Sequence, residues 1–295
     1  MTRQSRFYLA RVLKRGEMTK EKLIEAMREP ATIEFRGTRY SFTDFRAFGV
    51  QGFYAKLAKY KQQGAVGIVH EDQHASAEAQ VRNLIDASSA FVYLPDFSGL
   101  AYRHVWNALT REQFERVFKS LVEHKYLLAG CDVDPVTDLR TFVMRLSRLD
   151  RITELQATVS PPNPLFAPCW KSLSEYLRKR RLATVQIKEQ ADSGIETRVK
   201  EIAEAVLRTE QSVDQLMEMM EPLLDGVGDA ALLMAADGYG SARVTGKEGA
   251  HDAVIRTSDN QKSFLLDGDP EPEILFERAL EAFQKISNER GLHHP

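Results

Sequence analysis

The sequence predicts a mixed α/β (α+β) protein: two mixed-sheet domains with helices packed on the sheets. Three observations predict it. Segments with the two-residue period of a half-buried strand recur between segments of helical period. From residue 126 to residue 189 the order strand–helix–strand repeats, the mark of helices returning across a sheet. The chain has 295 residues, long enough for two cores. The expected domains are an N-terminal α/β domain, 1–125, and a C-terminal α+β domain, 126–295, with a long helix and an acidic end.

The elements follow in order. Arg6–Lys14 alternates Phe7, Leu9 and Leu13 against Tyr8, Ala10 and Val12 and reads as a strand. Leu23, Ile24 and Met27 give a short helix over Lys20–Met27, stopped by Pro30. ATIEF and GTRYSF form a hairpin around Gly37. Gly52–Lys61 is a strand, GAVGIV another, and Ser76–Ile85 a helix. SAFVYLPDFSGLAYRHV is two strands joined by a Pro- and Gly-bearing turn. Thr110 with Gln113 makes a capping box, opening a helix whose stripe is Phe114, Val117, Phe118, Leu121 and Val122.

Tyr126–Val133 then reads as a strand, Leu139–Leu149 as a helix and Arg151–Val159 as a strand stopped by Pro-Pro-Asn-Pro. A helix over Pro168–Arg181 turns Trp170, Leu173 and Leu177 inward, and Ala183–Glu189 is a strand. From Gly194 onward, Ile195, Val199, Ile202, Val206, Thr209, Val213, Leu216 and Met220 follow heptad steps. This stripe serves either a helix packed on its own sheet or a dimer seam, and Ser212 with Gln215 offers a cap that would split it. ALLMAADGYGSARVTG reads as a hairpin turning at Asp237-Gly238. Pro272 to about Glu289 is a closing helix.

Charge is uneven. The net is +8 over residues 1–61, −4 over 62–100, +1 over 101–150, +4 over 151–190 and −11 over 191–295. One side therefore suits a polyanion and the other is acidic. Two cysteines in dissimilar surroundings give no disulfide or zinc framework and fit a reducing compartment. No apolar run reaches membrane-spanning length, and no signal-like block opens the chain. The expectation is a cytoplasmic protein without membrane insertion.

No motif carries convincing catalysis, and no fingerprint calls for a cofactor or a bound metal. His70-Glu71-Asp72-Gln73-His74 matches HExxH, but it follows a glycine-bearing strand rather than opening a helix. Asp132, Asp134 and Asp138 form an acidic cluster of the kind that can hold magnesium for a nuclease. Asp134 also suits a helix N-cap ahead of Pro135. Gln186-x-Lys188 with Asp150 or Glu154 loosely resembles a restriction-type nuclease core. The glycine-rich stretch from Gly226 to Gly246 lacks phosphate-loop order.

Two basic patches are the better signals. Tyr54, Lys56 and Tyr60 share one strand face, with Lys59 and Lys61 beside them. Cations next to aromatic rings suit phosphate contact and base stacking. The second patch is Lys171, Arg178, Lys179, Arg180 and Arg181. The helix dipole would explain one or two cations at a helix end, not four in a row.

The layout resembles the RexA-like phage-exclusion family and, more distantly, KwaB of the Kiwa antiphage defence system. The resemblance lies in the order of GFYAKLAKYKQQGAVGIV, the helix SAEAQVRNLI, the strand pair SAFVYLPDFSGLAYRHV, the run from Tyr126 to Val159 and the hairpin DAALLMAADGYGSARVTG. It implies a cytoplasmic, dimeric, sequence-tolerant DNA-binding protein of antiphage defence. A further reading of the residues is a protein-interaction adaptor whose acidic C-terminal region and heptad seam bind a partner such as a second defence protein. No short motif of that family aligns individual DNA contacts here.

Overall fold

A computed structural model describes residues 4–161, 171–199, 201 and 226–289. Its spine is β1 (Gln4–Gly16), whose residues from Phe7 to Leu13 are buried except the half-buried Tyr8. Burial on both faces of a strand requires layers above and below it, and the rest of the chain supplies them. α1 (Lys20–Arg28) is capped by Thr19, whose hydroxyl accepts from the Lys22 amide. The hairpin of β2 (Ile33–Phe35) and β3 (Thr38–Phe48) turns at Arg36-Gly37, both with positive φ. β4 (Gly52–His70) and β5 (Ala75–Leu94) follow, then β6 (Gly99–Arg103).

α2 (Arg111–Lys125) opens on the expected capping box, with Thr110 and Gln113 each satisfying the other's backbone amide. Next come β7 (Ala129–Pro135), α3 (Leu139–Leu146), β8 (Arg151–Val159), α4 (Lys171–Lys179) and β9 (Val185–Gln190). α5 (Val227–Ala236), β10 (Gly240–Glu248), β11 (His251–Arg256), β12 (Ser263–Asp267) and α6 (Pro272–Glu289) complete the described order.

The fold is α+β. Among the described residues, one sheet runs β12-β1-β6-β5-β4-β3-β2, with β7 pairing the far half of β1, and a second runs β11-β10-β8-β9. One face of the large sheet packs α1 and α2 through Phe42, Phe91, Phe114 and Phe118. The other face packs α3, α5, α6 and the second sheet in one continuous core. The expected boundary at 125/126 falls between α2 and β7. β7 and β12, from beyond it, hydrogen-bond to β1 in the large sheet.

Two elements differ in kind from the sequence reading. Ser76–Ile85 is strand, not helix: it forms the first half of β5 and pairs with β4 from Tyr60 to Val69. Ala and Glu favour helices, but Ala75, Ala77, Ala79 and Val81 keep a two-residue period, and cross-strand pairing decides. The pair extends past the sheet as a two-stranded ribbon. Its one face carries Val66, Ile68, Ala77, Ala79 and Val81, and the three larger of these are exposed.

The second difference is DAALLMAADG, which is the helix α5 and not half of a hairpin. Gly228 to Ala236 are all buried, which is how a helix apolar on every side must sit. The hairpin of this region is β10–β11, turning at Gly249. β4 also absorbs GAVGIV, read as a separate strand. Of the heptad positions, Val199 is buried in the core and Ile195 packs against it; those from Ile202 to Met220 lie outside the described residues, as do Cys169 and Trp170.

A fully buried arginine joins these layers. Arg11 stands on the β1 face otherwise occupied by Phe7, Leu9 and Leu13. Its Nε donates to the Asp237 carbonyl at 2.7 Å and its Nη1 to the Phe97 carbonyl at 2.5 Å. The guanidinium lies 4.9 Å from the Tyr239 ring centroid and 5.8 Å from that of Phe283. One side chain thus ties β1 to the β5–β6 turn, the α5–β10 connection and α6.

Candidate nucleic-acid interface

The ends of β1, β7, β8 and β10 meet α2 around a cleft of about 450 Å³. Its charged lining is Arg15, Glu112, Glu115, Arg116, Lys119, Asp132 and Asp134. Strand alternation puts Asp132 and Asp134 on one face of β7, and helical spacing puts Glu112, Glu115, Arg116 and Lys119 on one face of α2. Gly240 lines the opposite wall with φ 149°; a Cβ there would stand 2.0 Å from the Thr158 carbonyl oxygen. Only glycine lets β10 approach β8 this closely.

Asp132 is clamped. Arg15 Nε and Lys119 Nζ each reach one of its carboxylate oxygens at 2.7 Å. Burial opposes its ionisation, but hydrogen bonds from Lys119 and Arg15 prevail and hold its carboxyl below the usual range. Burial pushes Asp134 up to about 7, helped by the charge of Asp132. Burial likewise pushes Glu115 up to about 7, against a hydrogen bond donated by the Tyr102 hydroxyl at 2.5 Å. Near neutrality the cleft therefore loses two of its negative charges easily.

The raised Glu115 value has a stability consequence. The folded state holds this proton across the window from about 4.5, the unfolded value, to about 7, so stability falls as pH rises through it. Glu115→Gln removes the penalty. Thermal melts should show the variant gaining roughly 1–3 kcal/mol relative to the native chain between about pH 4.5 and pH 8. A pH-independent difference would contradict the assignment.

Arg15 also connects the cleft to the second basic patch. Its Nη2 donates to Ser160 Oγ at 2.8 Å and its Nη1 to the Ala183 carbonyl at 2.5 Å. Ala183 lies two residues beyond Arg181, a span of at most about 7 Å of chain. The cationic end of α4 therefore borders the cleft mouth. Leu173 and Leu177 anchor α4 in the core, as their spacing predicts, and Arg178, Lys179, Arg180 and Arg181 are all exposed. Lys171 opens α4; its side chain is outside the described set. Among the described residues, no carboxylate lies within ion-pair distance of Lys179, Arg180 or Arg181, and Arg180 lies over the Tyr176 ring at 5.6 Å.

The helix ends with Leu182 N donating to Leu177 O at 2.9 Å and Arg181 at φ 54°. This is the left-handed closure that normally takes glycine. An arginine here exchanges stability for charge. Arg181→Gly should raise stability by about 0.5–1 kcal/mol in denaturant titration, and weaken binding to nucleic acid in parallel.

The first basic patch is a different matter. Tyr54 is 2% exposed and belongs to the core, so it cannot stack on a base. Lys56 pairs with Asp44 at 3.1 Å and Lys61 with Asp86 at 3.7 Å. Lys59 donates to the Ala108 carbonyl at 3.1 Å, and the Tyr60 hydroxyl lies 3.3 Å from that of Thr32. Tyr54 is buried and Lys56, Lys59 and Tyr60 are half-buried with partners in the fold, while Lys61 alone of the five is exposed.

The acidic motifs separate too. Asp138, not Asp134, caps α3, its carboxylate accepting from the Thr141 amide at 2.8 Å, while Asp134 and Pro135 belong to β7. Asp150 accepts from the Gly249 amide at 2.7 Å, and Glu154 is held by Arg243 at 2.6 Å and Lys188 at 3.8 Å. His70 and His74 flank the ribbon tip, with His74 at φ 48°, so they do not share a helix face. Among the described residues, no group of three or more His, Cys, Asp and Glu is placed to hold a metal ion, and no helix is long and apolar enough to cross a membrane.

The fold and this cleft define a mixed α+β protein with a cationic rim beside a carboxylate-lined cavity. The chain belongs to the family described as a domain of unknown function (DUF4747), whose model matches residues 13–213. That span holds the α2, β7 and β8 walls of the cleft and all of α4, but not Gly240 or Ser241. A comparison with curated proteins gives no match.

Proposed function

We propose that this protein binds DNA with little regard to sequence, as a homodimer, in prokaryotic antiphage defence. One observation carries the DNA-binding reading: four consecutive cations are exposed at the end of α4, beside the mouth of a cleft whose Arg15 and Lys119 are engaged with Asp132. Phosphate contacts fix a protein on nucleic acid without reading bases, and closely set cations supply them. Arg178, Lys179, Arg180, Arg181 and Arg116 make those contacts. The defence role, the dimer and the cytoplasmic setting rest on the part of the RexA-like layout that remains once Ser76–Ile85 is strand and DAALLMAADG is helix. The acidic charge of residues 191–295, a net of −11, would suit a second defence protein.

Fluorescence anisotropy with a labelled duplex of roughly 20 base pairs at low salt tests this. Saturable binding is expected; no binding to duplex or single strand would overturn it. A nuclease is the second reading, favoured by Asp132 and Asp134 sharing one face of β7 near Glu115. Plasmid incubated with magnesium or manganese should stay intact, and nicking would transfer the function to that reading.

A further inference from the structure

A second cleft, of about 770 Å³, opens where β6 ends beside β1. Gln4, Arg6 and Tyr8 alternate onto one β1 face, and His104 N donates to the Arg6 carbonyl at 3.1 Å as the chain leaves the sheet. A tight turn follows, closed by the Val105–Leu109 bridge, with Asn107 at φ 58°. The turn lifts Trp106 into solvent, 74% exposed. The His104 ring meets Trp106 edge-on at 5.2 Å and Tyr8 edge-on at 6.0 Å. Three aromatic rings thus form one wall, in which Tyr8 also packs against the core while Trp106 belongs to neither core cluster.

The charges of this cleft have one sign. Arg6 and Arg103 line it beside His104, which burial biases toward the neutral imidazole, and no carboxylate does. Arg103 is held by Asp269 at 2.7 Å, whereas Arg6 is exposed and pairs with no carboxylate among the described residues. His104 Nδ1 is buried with no hydrogen-bond partner among the described residues, which is costly unless a ligand or water answers it. Guanidinium groups repel a cationic guest, and a single histidine with no carboxylate is a poor metal site. A flat aromatic guest carrying negative charge satisfies the rings and the cations together.

We propose that this cleft takes one unpaired nucleotide of a single strand, its base stacked on Trp106 and its phosphate on Arg6. The DNA-binding reading supplies only the choice of a strand over a free nucleotide, because no residue of α4 takes part.

Affinity for a labelled oligothymidylate of roughly ten nucleotides tests the proposal, with duplex binding measured alongside. Trp106→Ala should weaken single-strand binding by about 5- to 150-fold and leave duplex binding within about twofold. Trp106→Phe should keep most of the affinity, and Arg6→Ala should weaken it while leaving both tryptophans in place. Circular dichroism checks that each variant folds. Unchanged single-strand affinity in Trp106→Ala, or a native chain that binds duplex but not oligothymidylate, overturns the nucleotide cleft and leaves the α4 reading standing. Single-strand binding that needs Trp106, with no duplex binding, supports the cleft and overturns the α4 reading. Binding to neither overturns both.

Discussion

Arg11→Ala lowers stability by about 3–5 kcal/mol. Arg11 is fully buried, and its loss strips hydrogen bonds from two buried carbonyls, those of Asp237 and Phe97, at once. It also empties the space between the Tyr239 and Phe283 rings. Arg11→Met fills part of that space but donates to neither carbonyl, so it should cost less than alanine and still about 1–3 kcal/mol. Arg11→Lys keeps the charge and loses the planar fork that reaches two directions, so it should not rescue. At roughly 2–4 °C per kcal/mol, the alanine variant melts about 10 °C lower. Arg140→Ala, on an exposed face of α3, serves as control and should change stability by less than about 0.5 kcal/mol.

Replacing Arg178, Lys179, Arg180 and Arg181 together by alanine weakens duplex binding by about 100-fold near physiological salt. The four side chains are exposed, and the apolar anchors Leu173 and Leu177 remain, so the variant keeps its fold. Small losses at the helix end come from the dipole, about 0.3–1 kcal/mol for each cation removed at most. Binding and stability therefore separate. Replacing Lys56, Lys59 and Lys61 instead disturbs the Asp44 and Asp86 pairs and the bond to the Ala108 carbonyl, and should cost stability more than affinity.

The two basic patches show what the sequence can and cannot disclose. Both read as cation beside ring. For α4 the period of Leu173 and Leu177 fixed the buried face, which leaves Arg178–Arg181 outside. For β4 the period assigned faces but could not tell that both would be at least half-covered up to Tyr60, because the covering helices α2 and α6 arrive from distant parts of the chain. The failure at Ser76–Ile85 has the same cause: its partner strand decides its conformation, and no local signal names the partner. α5 was missed because a short, wholly apolar run has no period to read.

The cleft was half legible. Asp132 and Asp134 stood out as an acidic run, but Arg15, Glu115, Arg116, Lys119 and Ser160 enter only by tertiary proximity. The i,i+4 spacing of Glu115 and Lys119 was the one local hint that they share a helix face. Arg11 was readable: it is the single charged residue on the face defined by Phe7, Leu9 and Leu13, and a charge there needs a partner. Trp106 was not, since an exposed tryptophan on a turn has no periodic signature.

If α4 carries the phosphate contacts, its four cations set the salt dependence of binding. The slope of log affinity against log salt, measured on duplex DNA for the native chain and the four-alanine variant, reads this out. Four lost contacts should make the slope shallower by roughly 3.6. Equal slopes would mean that DNA is held elsewhere and would contradict the account.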